Sequence, residues 1–234
     1  GLYAYRTEVL KDISFSLEKG QALSIIGSSG SGKTTLIKLM LGYYPVSEGA
    51  IMVSGKNINE YNLKWWRRCC GVVMQDGVIF SESIARNIAV GDSEVDIARL
   101  EQAARIACIH DYILSLPLKY NTKIGRDGVG LSQGQKQRIL IARAVYKNPV
   151  FIFLDEATNS LDAKNEREIV ENLDDFYKGR TVVVVAHRLS TVKNADQIVV
   201  IDSGKVVEKG THTELIEKQG GYFNLVKNQL ELGN

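Results

Sequence analysis

Gly27-Ser28-Ser29-Gly30-Ser31-Gly32-Lys33-Thr34 is the stretch whose reading decides the fold: it spells G-x-x-x-x-G-K-(S/T) between a run of strand character and a run of helix character. Glycines let backbone N–H groups turn inward around phosphate oxygens, Lys33 can reach the β and γ phosphates, and the Thr34 hydroxyl can bind Mg²⁺. Upstream, Ala22-Leu23-Ser24-Ile25-Ile26 predicts a short apolar strand. Downstream, the run from Thr35 to Leu41 predicts an amphipathic helix ended by Gly42, and Thr35 completes the binding stretch. A glycine-serine linker carrying Lys-Thr by chance is the alternative, and both flanks argue against it. The expected occupant is a nucleoside triphosphate.

The 234 residues, 44% of them hydrophobic, suffice for a buried core in one domain, with or without an inserted part. A formal net charge of +2 falls short of the basic balance of nucleic-acid binders, so no nucleic-acid partner is expected. Cys69, Cys70 and Cys108 fit neither a disulfide framework nor zinc-ligand spacing, and are expected to be reduced thiols. No apolar run reaches the roughly 18 residues of a membrane span, and no signal segment opens the chain. Work at a membrane would need another anchor.

Along the chain, Val9, Leu10, Ile13, Phe15 and Leu17 predict a strand leading towards the loop, within an N-terminal antiparallel β part. Residues 50–53 with Ser54-Gly55 read as a strand and tight turn, and residues 63–68 as a short helix. Trp65 and Trp66 on that helix are expected to pack inward while Arg67 and Arg68 face water. Residues 71–74 predict a buried strand ending at Gln75. From 83 to 148, Ile84, Ile88, Ile97, Leu100, Ala104, Ala107, Ile113 and Leu116 recur at helical spacing, predicting a helical insertion. Within it Ser132 and Gln135 have capping-box spacing at the start of a helix reaching Tyr146. Strand and helix alternate thereafter (150–154, 162–176, 181–185, 197–201), as in a parallel sheet. The expected fold class is α/β: a phosphate-loop NTPase core with a mostly parallel sheet, an N-terminal antiparallel β part and an inserted α-helical subdomain at about 83–148.

The chemistry gathers at strand ends. Phe151-Ile152-Phe153-Leu154 runs into Asp155 and Glu156; Asp155 is expected to hold Mg²⁺ through water, and Glu156 to polarise the water attacking the γ phosphate as general base. The plainer alternative is ordinary charge at a helix N-terminus. Gln75, also at a strand end, can reach Mg²⁺ and the attacking water with its amide. His187 follows an apolar strand at the carboxyl edge of the sheet, where doubly wound folds place ligands; neutral His187 can contact the γ phosphate and orient water, or be a satisfied structural histidine.

Taken together these residues resemble the nucleotide-binding domain of an ATP-binding cassette (ABC) transporter, over essentially the whole chain. The resemblance rests also on the signature-like Leu131-Ser132-Gln133-Gly134-Gln135, the lid Gln75, the loop Ser160-Leu161-Asp162 and the switch His187. It implies ATP and Mg²⁺ as ligands, hydrolysis of ATP, and a head-to-tail homodimer in which the signature contacts the nucleotide of a second copy. Ser160, Leu161 and Asp162 would then form a dimer loop, and Tyr3, with Tyr5 as alternative, would stack on the purine. The runs from Leu63 to Ile88 and from Ala186 to Val192 are similar to exporters, most like bacterial peptide, bacteriocin and haemolysin-type toxin secretors. In those, membrane spans precede this domain in the same polypeptide, which works at the cytoplasmic face of the inner membrane. An exporter of lipid or drug, a soluble ATP-gated interaction module and a phosphate-loop kinase are the rivals. Two positions depart from the family pattern: Gln133 replaces a glycine of the signature, and Arg126 stands where exporters carry glutamate.

Overall fold

The computed structural model describes residues 10–28 and 30–231, so Tyr3, Tyr5, Val9 and Ser29 lie outside the described residues. The chain divides into two compact units, one running up to Arg67 and again from Val183, the other from Arg68 to Val182.

In the first unit β1 (Ala22–Gly27) leads through the glycine-rich loop into α1 (Lys33–Met40). β2 (Met52–Val53) and β3 (Lys56–Asn57) form a small antiparallel pair about Ser54 and Gly55, whose φ of 50° and 80° are the positive values a two-residue hairpin turn requires. α2 (Leu63–Cys69) follows. Trp66 is buried and its indole N–H donates to the Met40 carbonyl at 3.1 Å, whereas Trp65 is 44% exposed and stacks on Tyr61 with ring centroids 5.3 Å apart. The expectation that both tryptophans pack inward therefore holds for one only. Adjacent helical residues point about 100° apart and cannot share a buried face.

The second unit carries β4 (Cys70–Val73), α3 (Ile84–Ile88), α4 (Ile97–Ile106), α5 (His110–Ser115), α6 (Gln133–Tyr146), β5 (Phe151–Asp155), α7 (Ala163–Phe176) and the start of β6 (Thr181–Val185). β4 and β5 pair in parallel, Gly71 opposite Ile152 and Val73 opposite Leu154. Helix α6 packs on α3 and α4 around Ile84, Ile88, Leu100, Ala104 and Ile139, all essentially fully buried. Ile97 was expected among these but is 61% exposed: it follows the N-cap Asp96 directly, and the buried stripe of α4 begins at Leu100. The three cysteines are free thiols; burial pushes Cys70 up to about 12 and Cys108 up to about 11, which suppresses the reactive thiolate.

Back in the first unit come α8 (Leu189–Val192), β7 (Gln197–Asp202), β8 (Lys205–Gly210), α9 (His212–Lys218) and α10 (Gly221–Glu231). β1 pairs in parallel with β7, Ser24 opposite Ile198 and Gly27 opposite Ile201, and β8 pairs antiparallel with β7. The interiors of β1 and β7 are continuously buried, the pattern of parallel strands covered on both faces. The chain is thus an α/β protein whose strand pairing is mostly parallel. Residues 10–17 correct one expectation. Ile13, Phe15 and Leu17 are half-buried between exposed neighbours, yet no strand forms there among the described residues; the Lys11 N–H donates to the Gly204 carbonyl and Asp12, at φ 54°, interrupts the extension. The period-two pattern expresses burial without a ladder.

Candidate functional site

Two clusters of polar groups stand at strand ends, one in each unit. In the first, β1 delivers the glycine-rich loop. A Cβ on Gly27 would fall on the Ile201 carbonyl and within 2.8 Å of Ser31 Oγ, so only glycine fits there. Gly30 and Gly32 hold φ of 77° and 106°, conformations that turn successive N–H groups to one side. Gly32 is the N-cap of α1 in left-handed backbone, so the positive end of that helix opens at the loop. Ser31 is 3% exposed and its hydroxyl has no hydrogen-bond partner among the described residues, an orphaned polar atom inside the cradle. Lys33 is buried, and its ammonium donates to the Gly27 carbonyl and, at 3.3 Å, to that of Ser28. A buried ammonium resting on loop carbonyls, beside glycines in left-handed backbone and a helix start, suits a polyphosphate.

His187 belongs to the same unit. The Ala186 N–H donates to the Ile25 carbonyl at 3.3 Å, and Gly27 and His187 line one cavity of about 70 Å³ walled on its other side by Tyr222, Leu225 and Val226 of α10. That volume is far below a nucleotide site, so the cavity is a packing gap. Its walls nevertheless bring His187 to the root of the loop.

In the second unit β4 and β5 end side by side. The Gln75 amide donates to Glu156 Oε2, and Asp155, 2% exposed, precedes it as the last residue of β5. Glu156 has a φ of 52°, a left-handed backbone that costs a residue with a Cβ roughly 1–3 kcal/mol and persists only when the surroundings enforce it. The loop after Gln75 is held by Asn87, fully buried, whose amide donates to the Phe80 carbonyl at 3.0 Å, and by Arg143, which donates to the Val78 carbonyl at 2.9 Å and to that of Asn87 at 2.7 Å. Burial lowers the pKa of Arg143 from its ordinary value.

The signature segment opens α6 in the same unit. Ser132 Oγ accepts from the Gln135 N–H at 3.1 Å and Gln135 Oε1 accepts from the Ser132 N–H at 3.0 Å, the expected capping box. The Gln135 side chain is therefore spent on the helix end, while the Ser132 hydroxyl retains its proton to donate. Gln133 is exposed on the first turn, and Leu131 is half-buried just before it. A Cβ on Gly134 would lie 3.3 Å from the Ser160 carbonyl and 3.4 Å from Leu161, so the helix start presses on the loop 160–162. Leu161 is buried, Ser160 is exposed, and Asp162 is the N-cap of α7, with Asn165 donating to its carboxylate at 2.6 Å. Gln137, which the motif analysis passed over, joins these pieces. Its amide donates to Asn159 Oδ1 and, at 3.5 Å, to the Glu156 carbonyl, and its Oε1 accepts from the Ser160 N–H at 3.1 Å. The signal available was three glutamines in Gln133-Gly134-Gln135-Lys136-Gln137, where a capping box uses one.

Each unit offers hard oxygen donors at a strand end: the Thr34 hydroxyl in the first, the Asp155 carboxylate and the Gln75 amide oxygen in the second. Among the described residues no group of three or more His, Cys, Asp or Glu side chains could hold an ion. Hard oxygens of this kind suit Mg²⁺, which is characteristically bound by one or two protein oxygens, with phosphates and water completing its shell.

Comparison with known proteins points to one family. A family model described as ABC transporter matches residues 10–159. The chain is 45% identical over 227 residues to an ATP-dependent lipid A-core flippase of Saccharophagus degradans, covering 97% of this chain and 39% of that protein. It is 46% identical over 217 residues to a Staphylococcus aureus protein named for multidrug export as an ATP-binding/permease protein, covering 93% and 38%. Among solved structures it is similar to a bacterial Atm1-family ABC exporter with ATP bound, with a TM-score of 0.92 and 37% identity over 97% of this chain and 40% of that one. The chain spans about two fifths of the length of these relatives.

Proposed function

Because the chain belongs to the ABC transporter family, we propose that it is the ATP-binding and ATP-hydrolysing motor of an exporter, two copies of which close head to tail over two Mg-ATP. The observation that carries this reading is the cradle from Gly27 to Thr34, with its enforced glycines, orphaned Ser31 hydroxyl and buried Lys33.

Each residue then has a task. The loop N–H groups, Ser31, Lys33 and Thr35 bind the phosphates, and Tyr3, or Tyr5, stacks on the purine. Thr34, Asp155 and Gln75 would hold Mg²⁺, which when bound neutralises charge on the phosphate oxygens. Glu156 accepts the proton of the attacking water, Gln75 fixes the Glu156 carboxylate through its amide, and His187 contacts the γ phosphate. Ser132, through its remaining proton, and Gly134, at the start of α6, close over the nucleotide of the second chain, with Ser160, Leu161 and Asp162 at the seam. The helices of 83–148 form the part that carries the signature.

The exported substrate is read from the relatives. They are named for lipid A-core flipping and multidrug export, which favours an amphipathic lipid or drug over the peptide, bacteriocin or toxin suggested by the sequence resemblance. No helix of the described residues is long and apolar enough to cross a membrane. The membrane spans are assigned to another part of the same polypeptide, and this domain to the cytoplasmic face of the inner membrane.

Phosphate release from Mg-ATP, measured beside nucleotide titration calorimetry, tests the proposal. Hydrolysis without an added acceptor, abolished by Glu156→Gln while ATP still binds, is expected. A requirement for an acceptor would instead support a kinase.

A further inference from the structure

The helix that begins with the signature and the loop that begins with Glu156 are joined in one chain by the Gln137 side chain. Gln137, one turn into α6, uses both ends of its amide: the nitrogen donates to Asn159 Oδ1 and to the Glu156 carbonyl, and the oxygen accepts from the Ser160 N–H. Glu156 sits in a left-handed backbone, and its carbonyl also accepts from the Asn159 N–H at 3.4 Å. A strained residue of this kind moves when the contacts enforcing it move. One further contact lies on the link, and another holds the start of α6 to the turn at Cys108. Gly134 admits the Ser160 carbonyl at a distance that a larger residue would crowd, and Arg138, next to Gln137, donates to the Gly134 carbonyl at 3.3 Å and to that of Cys108 at 2.9 Å.

We propose that Gln137 is a positioning residue that couples the signature segment, on which the second chain's nucleotide rests, to the backbone of Glu156 acting in its own chain's site. It rests on the reading of Glu156 as general base. When the signature closes on a nucleotide, the start of α6 and the loop 156–160 shift as one body through the Gln137 amide, and the carboxylate is aimed by an event in the other site. Hydrolysis in one site then depends on occupancy of the other.

The test uses purified chain carrying Gln137→Ala, Asn159→Ala, the double substitution, or Glu156→Gln. For Gln137→Ala the expected result is a kcat lowered about tenfold, the scale of a small misplacement of a catalytic group, with KM for ATP within about twofold of the parent. The Hill coefficient for ATP, above one in the parent, falls to one. Asn159→Ala, at an exposed position, gives a smaller loss in the same direction, and the double variant loses no more than Gln137→Ala alone, because both act through one contact. Parent-like kcat and Hill coefficient in Gln137→Ala would overturn the coupling, as would a parent without cooperativity. If Gln137→Ala fails to fold, a parent-like Asn159→Ala overturns it equally. Glu156→Gln separates the two levels: parent-like turnover there removes the base assignment itself, whereas a dead Glu156→Gln beside a parent-like Gln137→Ala removes only the coupling.

Discussion

The loop of the first unit and the carboxylate cluster of the second solve opposite problems. The loop is built from backbone: glycines at φ 77° and 106°, one position where no Cβ fits, and a lysine lying across its own carbonyls. The carboxylate cluster is built from side chains, Gln75, Gln137 and Asn159, converging on a glutamate held in a left-handed backbone. Binding a polyphosphate needs many fixed donors and little motion, which main-chain geometry supplies. Aiming a base at a water needs a group that can be brought into place and withdrawn, which a hydrogen-bonded network supplies.

The contrast breaks most readily at the base. Glu156→Gln is expected to lower kcat by at least about a hundredfold, the lower range for general base catalysis, with ATP affinity retained by calorimetry; a comparable loss of affinity would mean that the two clusters do not divide binding from chemistry. Lys33→Ala is expected to weaken ATP binding roughly tenfold to a hundredfold, the worth of a charge-assisted contact, and unchanged affinity would remove the loop's role. Gly27→Ala should cost about 1–3 kcal/mol because the new methyl meets the Ile201 carbonyl, seen as a melting point lower by roughly 2–12 °C; an unchanged melting point would show that the loop yields. The smallest effect belongs to Ser132→Ala. Loss of the cap costs about 1 kcal/mol and roughly 2–4 °C, and hydrolysis should fall further than that stability loss explains if the hydroxyl also serves a second chain's nucleotide.

The same contrast explains what was legible in the sequence. The loop is contiguous, so eight residues and their flanks state both its fold and its ligand. The Ser132–Gln135 capping box is equally local, and it formed as expected. The network around Glu156 is not local: Gln75 lies 81 positions from its partner and Gln137 lies 22 from Asn159, so end-of-strand position could nominate Gln75 but nothing nominated Gln137. Local pattern also misleads when it reports burial alone, as at Ile13, Phe15 and Leu17, or when neighbours compete for one face, as at Trp65 and Trp66. For residues 13–17 and for Gln137 the missing information was a partner distant along the chain; for the tryptophans it was the local geometry of the helix.

The central claim is that each nucleotide is held by the loop of one chain and the signature of another. Mixing Lys33→Ala chains with Ser132→Asp chains tests it most directly. Aspartate keeps the N-cap of α6 but sets a negative charge where a phosphate would rest, so each variant alone should be inactive through a different half of the site. In a mixed dimer both lesions fall on one site and the other is intact. Random pairing at equal concentrations therefore predicts phosphate release above that of either variant alone and at most about a quarter of the parent rate, the shortfall from a quarter measuring how far the intact site depends on occupancy of the other. A mixture no faster than its two components, with both variants folded and dimerising, would contradict the account.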